Sequence, residues 1–349
     1  MDISFYKNKK VFVTGNTGFK GSWLCRILVY AGADVMGYAL APLDKTNLYG
    51  LINLKNDIRP VISDIRSYKH LSGAVKSFKP EIVFHMAAQP LVRESYRAPV
   101  YTYETNVMGT VNLLEACRQA PCIRSIVNVT TDKVYENKEH DRGYREDENL
   151  CGFDPYSNSK SCSEFVTAAY RNSFYSNEDS PSLSTARSGN VIGGGDFAKD
   201  RIIPDCVRAQ KSGKPVIVRN PRATRPYQHV LDCLSGYLLL AEKQYDRKLT
   251  GSYNFGPREK DVVNNADLVE MFMKAWGGGK SVHKHDGGPH EAGFLKLDCA
   301  KAKKKLGWKP LIPLKQAVEL TVEWSKMFLT GGDFKECMDN QIKKYFMKG

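Results

Sequence analysis

No apolar run in this sequence is long enough to cross a bilayer, and neither an internal repeat nor a low-complexity tract interrupts it. Helical membrane channels, solenoids and disordered tethers are therefore not expected, nor is a membrane partner. None of the nine cysteines stands in C-x-x-C spacing; an odd number of scattered thiols suits a reduced compartment rather than a disulfide framework or a thiolate-held zinc ion. The polar residues ahead of the first apolar run are too few for a secretory leader, which makes a cytoplasmic location the expectation. The net charge of +13 is carried without an arginine-rich helix or an aromatic-interleaved basic strip, so small anionic ligands, and not nucleic acid, are the expected partners. The densest basic run, Lys301 to Lys305 with Lys309, reads as a solvated helix face. His283, His285 and His290 lie among glycines with no cysteine nearby, which reads as a loop, and no metal is expected.

What is present begins with Val11-Phe12-Val13-Thr14-Gly15-Asn16-Thr17-Gly18-Phe19-Lys20-Gly21-Ser22-Trp23-Leu24, which reads as buried strand, glycine turn and helix start. Gly15, Gly18 and Gly21 let the backbone turn tightly and approach a ligand, and the free N–H groups opening the helix face an anion. The spacing is only near G-x-G-x-x-G, with Asn16 expected to stand in for a glycine at positive φ. A dinucleotide pyrophosphate is the natural occupant.

Helical spacing from Trp23 to Ala31 stops at Gly32, and a second strand runs from Asp34 to Tyr38. An acidic residue at the end of that strand would hold the adenosine ribose, but Ala39 and Leu40 stand there and Asp44 comes too late. A third strand, Arg59 to Ile62, leads to Asp64 and Ile65; a fourth, Glu81 to Met86, to Ala87, Ala88 and Gln89. A long helical pattern through Asn106, Val107, Val111, Leu114 and Cys117 precedes a strand from Ile123 to Val129. This rhythm predicts an α/β chain with a Rossmann-type doubly wound parallel sheet. After Arg187, Gly193-Gly194-Gly195 and four prolines (Pro204, Pro215, Pro221, Pro226) break the alternation and predict a smaller mixed α/β C-terminal lobe for substrate. A helix from Val230 to Glu242 and a strand from Tyr253 to Phe255 are expected to return to the first lobe, giving a cofactor domain of 1–187 with 229–257 and a substrate domain of 188–228 with 258–349. His229 and Asp232 read as the start of that helix rather than as a catalytic dyad, and Glu136 as a solvated charge.

Tyr156 and Lys160 fall one turn apart on a helix opened by Pro155. A tyrosine of ordinary pKa, about 10, is a poor base at neutral pH, and an ammonium one turn away favours the phenolate. Thr130-Thr131-Asp132-Lys133 follows directly on a buried strand.

Through these residues the chain resembles the extended short-chain dehydrogenase/reductase family, and more closely its sugar-nucleotide 4,6-dehydratases. Gly18 to Leu24, Thr131-Asp132-Lys133-Val134-Tyr135-Glu136-Asn137 and His290 to Cys299 look like the CDP-glucose branch, where Lys133 departs from the glutamate of related dehydratases. The resemblance runs from the first strand to Leu306-Gly307-Trp308-Lys309-Pro310. It implies NAD as cofactor, a nucleotide-sugar substrate, and a homodimer or homotetramer. It implies Thr131, Asp132, Lys133, Tyr156 and Lys160 as catalytic residues. Gly15, Asn16, Thr17, Gly18, Phe19, Lys20, Asp64, Ile65, Ala87, Ala88, Gln89 and Asn106 would join Tyr156 and Lys160 around the cofactor. Arg187, Asn190, Arg201, Arg222, Arg225 and His290 would hold the substrate. Lys133 could be a base toward C5 or a charged stabiliser of the enolate; as a base it must be neutral, which for an ordinary lysine costs roughly 4–5 kcal/mol at pH 7. An epimerase or reductase of the same family, a dehydratase of another nucleotide hexose, and a dinucleotide-binding regulator without activity are the competing readings.

Overall fold

In the computed structural model, residues 1–42, 44–177, 179–246, 249–284 and 293–347 are described. Seven strands form one parallel sheet: β1 Lys10–Thr14, β2 Asp34–Ala39, β3 Arg59–Ile62, β4 Ile82–His85, β5 Ser125–Val129, β6 Ser182–Ser188 and β7 Gly251–Phe255, in the spatial order β7-β6-β5-β4-β1-β2-β3. Strand side chains alternate between two cores. Val11, Val13, Ile82, Phe84 and Val127 face one, while Phe12, Val83 and Ile126 face the other, as the two-residue period of a sheet covered on both sides requires.

Helices α1 Phe19–Tyr30, α2 Tyr68–Phe78, α3 Gly109–Arg118, α4 Pro155–Phe174, α5 Ile202–Ser212, α6 Val230–Asp246, α7 Asn265–Trp276, α8 Leu314–Thr330 and α9 Phe334–Phe346 cover the sheet and build the remainder. Helix α1 starts four residues earlier than the apolar spacing suggests, because Phe19 and Lys20 already turn with it. Helices α5, α7 and α8 enclose a third core of Ile203, Cys206, Leu268, Phe272, Val318 and Val322, closed by short strands. Cys299, Ala302, Leu306, Trp308, Met338 and Ile342, which the sequence assigns to the second lobe, pack instead in the large core beside α1 and α6. The basic run lies on the helix Ala300–Leu306 with Lys303, Lys304 and Lys305 exposed.

The order reverses between β1 and β4. In an open parallel sheet this switch point leaves a crevice beyond the carboxyl ends of the strands. His229 is buried edge-on to Trp23 and leads into α6. Asp232 accepts the N–H groups of Leu311 and Ile312 and the Tyr345 hydroxyl, clamping the C-terminal region to α6.

Candidate active site

The strand ends line two adjoining cavities. The first, about 320 Å³, is bounded by Gly15, Thr17, Gly18, Phe19, Lys20, Asp64, Ile65, Ala87, Ala88, Tyr156 and Lys160. Gly15 has φ +74°, and a Cβ there would come within 2.7 Å of the Ala87 nitrogen. A Cβ on Gly21 would come within 2.1 Å of the Gly15 carbonyl oxygen. Turn, strand and helix thus meet at backbone contact, and the helix N-terminus opens on the crevice; these residues fit a dinucleotide.

Three residues expected around the cofactor, Asn16, Gln89 and Asn106, stand outside the cavity lining. Asn16 is not among the positive-φ residues; it is buried over Gly37, whose Cβ would meet its side chain at 2.4 Å, and it lies outside the cavity lining. Gln89 and Asn106 brace one another: Asn106 accepts the Gln89 N–H at 2.8 Å and donates to the Gln89 carbonyl at 3.1 Å and to Ser159 at 2.9 Å. They hold the Ala87-Ala88 turn from behind. Asp64, which does line the cavity, is paired with Arg66 at 2.8 Å, and that guanidinium holds its carboxyl below the usual range against its partial burial.

The second cavity, about 470 Å³, is lined by Thr131, Asp132, Lys133, Tyr156, Ser188, Asn190, Arg201, Arg219, Asn220, Arg225 and Tyr227 among others. Helix α4 is fixed at its start by Asp154, whose carboxylate accepts the Ser157 N–H at 3.0 Å and hydroxyl at 2.6 Å, with Pro155 in the first turn. That cap aims Tyr156 into the cavity and stacks Lys160 one turn on. Lys160 donates to the Val129 carbonyl at 3.1 Å, and burial, with Lys20 nearby, pushes it down to about 7. Burial pushes Tyr156 up to about 12, while a hydrogen bond with Thr131 and the charge of Arg201 pull the other way. Of the charges acting on Tyr156, that of Arg201, predicted for the substrate, is the strongest. Lys20 is the lysine that presses on Lys160.

The Thr131 hydroxyl joins the catalytic candidates, bonded to Tyr156 and donating to Asp132 at 3.1 Å. Asp132 is buried, and its other carboxyl oxygen has no partner among the described residues. Burial raises its pKa, although Lys133 and Thr131 act to lower it. A Cβ on Gly189 would stand 2.8 Å from that oxygen. Burial thus favours the protonated form of a carboxyl that lines the cavity beside a tyrosine and a hydroxyl.

A family model described as GDP-mannose 4,6 dehydratase matches residues 12–321. The chain belongs to this dehydratase family. It is 46% identical to the CDP-glucose 4,6-dehydratase of Salmonella typhimurium over 99% of this chain and 98% of that one. It is 27% identical to the human dTDP-D-glucose 4,6-dehydratase, covering 90% of this chain and 89% of that one. Among solved structures, MoeE5 in complex with UDP-glucose and NAD is 26% identical, with TM-score 0.78 over 92% of this chain and 99% of that one. The UDP-glucose 4-epimerase of Thermotoga maritima shares the fold at 23% identity and TM-score 0.80, covering 92% of this chain and 99% of that one.

Within this dehydratase scaffold Arg187 is not a ligand residue. It is 2% exposed and bridges both carboxylate oxygens of Glu164 at 2.9 Å, while donating to the Tyr135 hydroxyl at 2.9 Å and the Glu146 carbonyl at 3.2 Å. Burial pushes the Glu164 carboxyl up, but Arg187 and the hydroxyls of Thr130 and Thr185, at 2.6 and 2.7 Å, hold it below the usual range. The pair secures Thr130, the residue before Thr131. Arg187→Leu is expected to cost about 3–5 kcal/mol by leaving Glu164 buried without its cation, read as a lower urea midpoint, and Glu164→Leu added to it should recover most of the loss. A stable Arg187→Leu protein with weakened substrate binding would return Arg187 to the substrate.

Arg222 is exposed and outside both linings, and His290 lies outside the described residues. Glu136 pairs with Lys138 at 3.3 Å. Sequence reasoning missed Arg219, Asn220 and Tyr227, which follow or precede strands of two or three residues. The signal available was a polar pair, Arg219-Asn220, directly after the apolar triplet Val216–Val218.

Proposed function

We propose that this chain is a CDP-glucose 4,6-dehydratase that converts its substrate to CDP-4-keto-6-deoxyglucose and water. NAD, bound in the glycine cradle, supplies the acceptor for the C4 hydride and the donor that returns it to C6. Tyr156 takes the proton of the sugar's 4-hydroxyl while Thr131 hydrogen-bonds that oxygen. The carbonyl formed at C4 acidifies the C5 hydrogen. Lys133, which faces the substrate cavity and not the cofactor cavity, removes it, and Asp132 gives its proton to the departing 6-hydroxyl. A proton then returns to C5.

One observation carries this reading: a buried carboxyl, Asp132, whose proton affinity burial raises, stands beside Thr131 and Tyr156 in one cavity, where an epimerase or reductase has no leaving group to protonate. The relative 46% identical points to cytosine as the base. Incubating the purified protein with CDP-, dTDP-, GDP- and UDP-hexoses tests it by mass spectrometry. The CDP-glucose reaction is expected to give a product lighter by one water; turnover without that loss, or preference for another nucleotide, overturns the assignment.

No described helix is long and apolar enough to cross a membrane, and the reading is of a cytoplasmic enzyme feeding a deoxysugar toward surface polysaccharide such as the O-antigen. Val100 and Met108, on the helical stretch that runs into α3, and Phe165 on α4 are exposed on two packed elements. We propose that this pair meets its copy in a homodimer or a tetramer of such dimers. A sedimentation mass of a single chain would overturn that assembly.

A further inference from the structure

This inference rests on the dehydratase reading with NAD as cofactor. Phe19, Lys20, Pro90, Thr130, Tyr156 and Arg201 line both cavities. A hydride exchanged between sugar and cofactor would cross where the cavities meet, so these residues would surround the nicotinamide ring and the reacting carbon. Two of them are cations. Arg201 is held by Asp196 at 3.1 Å. Lys20 has no carboxylate within ion-pair distance among the described residues: its amine reaches the Tyr237 hydroxyl at 3.4 Å and lies 5.6 Å from the centre of that ring. The Tyr237 hydroxyl is itself engaged with Ser188 at 2.7 Å.

The groups facing Lys20 from the surrounding elements are Asp132 from the turn after β5, Lys160 from α4, Arg201 ahead of α5, and Cys233 and Tyr237 from α6. Burial is the strongest influence on the amine and disfavours its charged form; Arg201 acts in the same direction, against Cys233 and Asp132. A second cation placed at this junction would tip it further. The oxidised nicotinamide ring is such a cation and the reduced ring is neutral.

We propose that Lys20 is the electrostatic partner of the nicotinamide ring, neutral while the ring is oxidised and protonated once it is reduced. In electron terms, the hydride carries two electrons and one proton from C4 to the ring. The Lys20 amine takes its own proton from solvent as the ring charge disappears, and releases it when the hydride leaves for C6. The local charge stays constant through the cycle, so neither half of the hydride exchange is opposed by a growing unbalanced charge in a low-dielectric pocket.

The test measures the dissociation constants of NAD and NADH separately, by quenching of protein fluorescence, at mildly acidic and mildly alkaline pH. In the parent chain the ratio Kd(NAD)/Kd(NADH) should fall as pH rises, because deprotonating Lys20 relieves its repulsion of the oxidised ring. Lys20→Met should lower the acidic ratio by about tenfold, the equivalent of one pKa unit of interaction, and leave the alkaline ratio unchanged. Lys20→Arg should keep the acidic ratio and raise the alkaline one by a similar factor. Any share from Lys160 is common to all three proteins. A Lys20→Met ratio equal to the parent's at acidic pH overturns the proposal while leaving the cofactor assignment intact. A parent chain that binds neither nucleotide overturns the cofactor assignment and this proposal with it.

Discussion

Tyr156→Phe is expected to slow the conversion of CDP-glucose by about 10²–10⁴-fold, the range that a positioned proton acceptor contributes. The block should fall on the first step. Without the phenol oxygen nothing takes the proton of the sugar's 4-hydroxyl, so mixing substrate with the NAD-loaded protein should give no rise in reduced-nicotinamide absorbance even in a single turnover. The fold should survive, because α4 is anchored by Asp154 and by its buried serines and Glu164, not by the Tyr156 hydroxyl. The pH profile carries a second signature. The parent hydroxyl is pushed up to about 12 by burial, so the first step should speed up as pH rises and the fraction of phenolate grows. That rise should disappear in the phenylalanine variant. Formation of the keto sugar at the parental rate would remove Tyr156 from the base role.

Asp132→Asn should produce the opposite pattern, with product formation falling by about 10²–10⁴-fold while reduced nicotinamide accumulates. The asparagine keeps the size of the side chain and a bond with Thr131, and loses only the transferable proton. Hydride leaves C4 as before, but the 6-hydroxyl departs as a poor leaving group and the cycle stalls at the 4-keto sugar. Lys133→Met separates the two functions on that turn: it should also allow the cofactor to be reduced, and should slow exchange of the C5 hydrogen with solvent, which Asp132→Asn leaves running. Unchanged C5 exchange in Lys133→Met would assign Lys133 to charge stabilisation instead.

The parts of the site legible in the sequence are those fixed by backbone geometry and short spacing. Gly15 had to sit where a strand turns into a helix against a second strand, and its positive φ and contact with Ala87 follow. Tyr156 and Lys160 had to share a helix face because four residues make about one turn. The misread residues depend on partners distant in sequence. Arg187 ends a strand, where ligand-binding residues gather, but Glu164 lies on the buried face of α4 and needs a cation, and a carboxylate without one would be costly to bury. Asn106 and Gln89 were assigned to the cofactor because they flank the right turn; the Asn106 side chain is consumed by the Gln89 backbone and Ser159, and the Gln89 side chain by Leu91 and Thr102. Asn16 points down because Gly37 leaves a hollow under it, a feature of the neighbouring strand that no local pattern reveals. The same limit hid the C-terminal helices' place in the first core, since an amphipathic helix does not specify which face of the protein it covers.

Because β7 comes from residues 251–255 and completes the sheet by pairing with β6, a ribosome must deliver the first part of the substrate side, residues 188–228, before the nucleotide-binding half can close. Until then β6 presents an open edge, a template for pairing with other chains. A nascent or shortened chain ending before Gly251 should therefore depend on chaperones and aggregate when freed from them, whereas one ending beyond Phe255 has every sheet position filled. The order in which this protein is made thus runs against the order in which its site is read.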